Sequence, residues 1–158
     1  MGTQQRTTSA TDSDKLRALM NDLAAMVTAR FTADGDLQFM LWLLEDKTGF
    51  RTMVAMPASD NNKDTEVMIM RHTIRRFRAV RYAFAVEVWV AEEDGSGLAP
   101  SQRETRSEGM MITGEEASGE RLALIYPIER DEAGARMVAV PDETTEFGGR
   151  FTGLFGGP

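Results

Sequence analysis

The chain reads as an α+β domain: an antiparallel sheet of about five to six strands with two helices packed mainly on one face, in the order αββα followed by a strand meander. Three observations predict it. Leu16, Leu19, Met20, Leu23, Met26 and Val27 recur at three- and four-residue spacing, the period of a helix with one buried stripe. Residues 82–91 alternate, and both alternating sets are largely apolar, as expected of a strand covered on both faces. The second half is a series of short apolar runs separated by Gly-containing turns.

Residues 1–11 are Thr, Gln and Ser with little to bury, and are expected to be a disordered lead. The first helix follows, with Thr11, Asp12 or Ser13 as its cap and Phe31 adding a last apolar turn. Leu37–Glu45 and Phe50–Pro57, joined across Asp46-Lys47-Thr48-Gly49, predict a β-hairpin. Ser59-Asp60-Asn61-Asn62 supplies caps for a second helix over Lys63–Val80, with Val67, Met70, Ile74 and Phe77 on one stripe. Tyr82, Phe84, Val86, Val88 and Val90 then form one face of a central strand; Ala83, Ala85, Glu87, Trp89 and Ala91 form the other. Residues 92–107 read as a loop, and Met110–Thr113, Arg121–Arg130 and Ala135–Val140 as strands around turns at Gly114–Glu120 and Asp131–Gly134. The expected organisation is therefore a single domain over residues 12–141 and a flexible Gly- and Phe-rich tail over 142–158.

Composition restricts the chemistry further. The 158 residues carry a net charge of −7, one His and no Cys. Disulfides, thiolate catalysis and the common zinc sites are excluded, and His-centred catalysis is disfavoured. No apolar run reaches signal-peptide or membrane-span length, so the expectation is a cytoplasmic protein without membrane contact. No catalytic residue, metal ligand or cofactor is expected. Lys47-Thr48-Gly49 and Ser59-Asp60-Asn61 match tripeptides of serine β-lactamases and penicillin-binding proteins, but no Ser here has the required Lys three residues on. A turn and a helix cap explain both. His72 reads as a surface residue, and the clusters Glu92-Glu93-Asp94, Glu115-Glu116 and Asp131-Glu132 as solvated acids in loops.

Three features depart from that background. Arg71, Arg75, Arg76, Arg78 and Arg81 give residues 71–81 a charge of +5, against −3 before and −9 after. Arg forks match phosphate, so this stretch is a candidate anion or nucleic-acid site. Compensation of the chain's own acids is favoured over nucleic acid, because the overall field repels it. Glu87 beside Trp89 on a central strand requires a cation, with Arg103 and Arg106 as candidates; the same four residues form a candidate small-molecule pocket. Phe147, Phe151 and Phe155, spaced four apart among glycines, are candidate anchors that dock on a protein partner or fold back on the sheet.

Val86-Glu87-Val88-Trp89, Pro100-Ser101, Arg103-Glu104-Thr105-Arg106-Ser107-Glu108 and Met110-Met111-Ile112-Thr113-Gly114-Glu115 together resemble a pattern in small bacterial and phage-encoded proteins with no assigned activity. The resemblance spans residues 86–115, implies a small accessory protein without enzyme chemistry, and transfers no functional residue. The leading expectation is a non-enzymatic binding or assembly module that forms a homo-oligomer through sheet edges, its eleven Met residues or the Phe tail. The alternatives are anion binding through Arg71–Arg81 and a small-molecule enzyme or carrier at Glu87 and Trp89.

Overall fold

The computed structural model describes residues 11–34, 37, 39–57, 63–91, 95–99, 102, 104, 106–148 and 151–156. The capping residues expected at 59–62, the acids at 92–94 and Arg103 lie outside these, as do residues 1–10 of the expected lead.

Helix α1 (Asp12–Asp34) starts at a reciprocal cap. Thr11 Oγ1 accepts the Asp14 N–H at 3.1 Å, while the Thr11 N–H donates to Asp14 Oδ2 at 3.2 Å. Its buried stripe is Leu16, Leu19, Met20, Leu23, Ala24, Val27 and Phe31; Met26 lies off the stripe and is partly exposed. Strands β1 (Phe39–Asp46) and β2 (Arg51–Pro57) form the expected hairpin. Asp46 closes its turn by accepting the N–H groups of Thr48 and Phe50 at 2.8 and 3.0 Å, and Gly49 supplies φ +86°.

Helix α2 (Lys63–Arg76) ends before Val80, the expected limit. The chain leaves it through Arg78, whose left-handed φ of 52° breaks the helical path, and β3 (Ala79–Val90) begins at once. Four further strands follow: β4 (Ser107–Glu116), β5 (Arg121–Asp131), β6 (Gly134–Met137) and β7 (Asp142–Thr144). The seven-stranded sheet runs β2-β1-β3-β4-β5-β6, with β7 also paired to β5, and each pairing is antiparallel. The fold class is α+β, with more strands than expected; β7 falls in the stretch expected to be tail.

The helices do not share a face, contrary to expectation. Leu41, Leu43, Ala83, Ala85, Ile112 and Leu124 pack under α1, whereas Met40, Trp42, Leu44, Tyr82 and Phe84 pack with Met70 and Ile74 of α2 on the other side. The reason is in the strands themselves. Both alternating sets of β1 and β3 are apolar, so each face of the sheet must be covered. Beneath α1 the central floor is made of small residues, with Ala83 paired to Gly114. A Cβ built on Gly114 would stand 2.6 Å from Met20 Sδ and 2.8 Å from Leu16 Cδ1, so the helix rests where a side chain is missing.

Gly114→Val is therefore expected to destabilise the protein by about 1–3 kcal/mol through overpacking. Urea midpoints measure this, and Met20→Ala in the same chain should return part of the loss; additive effects of the two changes would contradict the close approach.

Candidate functional site

Most of the acidic and basic residues at one end of the sheet are consumed by one another. Strand pairing sets Arg51 opposite Glu45, Glu45 opposite Arg81, and Arg81 opposite Glu116, in a row across β2, β1, β3 and β4. Arg51 Nε lies 2.8 Å from Glu45 Oε1, Arg81 Nη1 bonds Glu45 Oε2, and Arg81 Nε lies 2.5 Å from Glu116 Oε1. From α1, Asp22 reaches Arg51 at 2.5 Å and Asp12 approaches Arg81 at 4.0 Å. Arg81, Glu45 and Glu116 are all buried.

The opposite face carries a polar clasp built from α2, β3, β4, β5 and the segment after β7. Residues 147–148 and 151–156 of this segment lie over the sheet as a strap. Arg121 donates to the Phe147 carbonyl at 2.6 Å and stacks its guanidinium 4.2 Å from that ring's centre. Glu115 accepts the Gly153 N–H at 2.9 and 3.1 Å, and the Tyr82 hydroxyl donates to the same carboxylate. Arg71 of α2 donates to the Gly156 carbonyl at 3.1 Å. Between these tethers Phe151 meets Trp42 and Phe84 at centroid distances of 5.3 and 5.7 Å, Phe155 meets Tyr82 at 5.3 Å, and Leu154 is buried. Burial pushes the Glu115 carboxyl above its ordinary range, against the lowering effect of the Gly153 N–H, Arg121 and the Leu154 N–H.

The sequence-selected residues fall out differently from expectation. The arginine run is divided: Arg71 tethers the strap, Arg75 and Arg76 sit exposed in the last turn of α2 where cations suit the helix dipole, Arg78 forms the turn, and Arg81 is buried in the ladder. Arg81 is thus no part of an exposed basic surface. Glu87 accepts the backbone N–H of Leu37; of the two arginines expected beside it, Arg103 lies outside the described residues. Trp89 and Arg106 do come together, with the guanidinium 4.8 Å from the ring centre. They line an open hollow of about 400 Å³ with Gln102 and Glu104, and Glu87 is not among its walls. Phe147, Phe151 and Phe155 fold back on their own sheet, so residues 147–148 and 151–156 are not a free tail. Glu115 and Glu116, expected as solvated acids, close β4 and are buried on opposite faces. Among the described residues, no group of three His, Asp or Glu side chains could hold a metal ion, and no helix is long and apolar enough to cross a membrane.

What remains open is the β2 edge. Met53 and Ala55, opposite Leu43 and Leu41 on α1's face of the sheet, are exposed, and so is Phe50 beside the strand's start. The sequence signal was present but weak, since β2 alternates without an evident polar face.

Replacing Arg81 by Met should cost about 3–5 kcal/mol, because Glu45 and Glu116 are left buried without their cation. Adding Glu45→Leu and Glu116→Leu should recover most of it in the same urea titration. For Glu115 the sign follows from its raised folded value. The folded state holds the proton more tightly, so stability falls as pH rises from the ordinary 4.5 through the raised value. Wild type and Glu115→Gln should have equal midpoints at the acid end of that window, and the wild type should drop below the variant above it. Parallel curves would show that the clasp does not titrate with folding.

No protein-family model, curated protein or solved structure matches the chain.

Proposed function

We propose that the protein is a non-enzymatic assembly module that pairs with a second copy of itself through β2. The observation that carries this reading is the contrast between the two edges of the sheet. Natural edge strands are blunted by charge, Pro or bulges, since their free N–H and C=O groups recruit other strands. The β5–β7 edge follows that rule: Arg136 pairs with Glu129 at 2.7 Å, and Asp142 and Glu143 stand on β7, with Arg17 reaching Glu143 at 2.5 Å. On β2 the sole charge, Arg51, is turned into the ladder, and Pro57 stands only at the far end. Between them Thr52-Met53-Val54-Ala55-Met56 is uncharged.

Two β2 strands related by a two-fold axis would pair antiparallel, doubling the sheet and covering Met53 and Ala55 of each copy. The adaptable Met side chains suit a surface that meets its own image.

Sedimentation velocity at tens of micromolar is expected to show a dimer. Met53→Lys with Ala55→Lys, both at exposed positions, should weaken it by at least about tenfold, or 1.4 kcal/mol, with an unchanged circular dichroism spectrum. A wild-type protein that is monomeric at those concentrations overturns the reading.

A further inference from the structure

Strand register places Trp42 of β1, Phe84 of β3 and Thr113 of β4 side by side in one row on the strap face. Trp42 and Phe84 stack at a centroid distance of 4.5 Å, and Phe151 of the strap closes edge-on over both rings. The two outer members of this row each hold a polar atom with no partner: Trp42 Nε1 and Thr113 Oγ1 are buried and make no hydrogen bond. Trp42 is 0% exposed and Thr113 is 1% exposed. Glu66 of α2, one turn before Met70, has its Oε2 in the same condition. Buried polar groups are paired in the great majority of cases, and an orphaned one demands a reason. The strap offers Phe151 an aromatic seat but leaves these groups unmet.

Among its described residues the strap has no regular secondary structure, it turns at Gly153 with φ +67°, and side-chain bonds to its backbone hold it alongside the packing of Phe151, Leu154 and Phe155. Segments of this kind open locally at far lower cost than the sheet beneath them.

We infer that Phe151 is a built-in plug in a binding site for a planar heteroaromatic ligand, one carrying acceptors for the Trp42 and Thr113 donors. An exocyclic amine on the same ring would take the place of the Gly153 N–H at Glu115. Its ring would fill the space that Phe151 occupies, against Trp42, Phe84 and Tyr82. Aromatic side chains bind such rings by stacking, and the edge groups choose among them. The site is independent of the β2 edge, on which the assembly reading rests.

Adenine is a suitable probe, with toluene as a ring that lacks the polar edge. In a Trp89→Phe chain, Trp42 is the remaining tryptophan and its fluorescence reports the site directly. Adenine is expected to change that signal saturably, and Phe151→Ala should tighten binding by at least about tenfold because the plug is gone. Thr113→Val separates ligand recognition from folding. Without ligand it should leave the unfolding midpoint unchanged or raised, since an orphan is removed, while adenine binding weakens by about tenfold. Three outcomes overturn the inference: no response to millimolar adenine in either the Trp89→Phe chain or its Phe151→Ala form, toluene binding as tightly as adenine, or Thr113→Val binding adenine undiminished. Should Phe151→Ala fail to fold, the Thr113→Val comparison in the otherwise intact chain decides.

Discussion

Arg81 brings a full positive charge to a position 5% exposed, where water cannot neutralise it and the guanidinium cannot shed its proton. Its neighbours must therefore supply the countercharge, and they do so from both flanking strands, through Glu45 and Glu116. Because side chains alternate along a strand, a one-residue slip of β3 would put Arg81 on the strap face and Tyr82 under α1. The ladder excludes that arrangement. With the register fixed, Gly114 falls beneath Met20, and Trp42, Phe84 and Thr113 fall into one row. An apolar set of side chains could give similar stability, so the ladder's contribution is best understood as the choice of one pairing over its neighbours.

Local patterns announced the elements well. The α1 stripe and the double-faced alternation of β3 are written in three- and two-residue periods, which depend on nothing distant. That both strands β1 and β3 are apolar on each face already requires cover on two sides, which two helices on one face would not supply. Groups whose partners are remote were not legible. Glu115 looks like any surface acid until β4 pairs with β3 and sets it against Tyr82; its other partner, Gly153, is 38 residues on. Arg71 and Gly156 are 85 apart. The five arginines look like one patch because they are close in sequence, yet the left-handed turn at Arg78 parts Arg81, on β3, from those of α2. In the strap, glycine at high density erases the periodicity that identifies ordered segments.

The two faces of the sheet are finished by different means. Under α1 the sheet offers small residues and the helix supplies bulk, which gives a close fit and no orphaned polar group among those named above. On the other face a shorter helix covers one part and an irregular segment the rest, held by side chains that reach its backbone. Such cover lacks the cooperativity of a hydrogen-bonded element. The protein thus joins a rigid half to a half whose outer layer is replaceable.

Chain order adds a matter of timing. The segment carrying Phe151 follows every strand it covers, so a ribosome makes those strands first. At about 5–20 residues per second, Trp42 waits on the order of ten seconds for the ring that covers it. Until then the row formed by Trp42 and Phe84 lacks its edge-on cover. Completion of this face therefore comes after synthesis of the strands that form it.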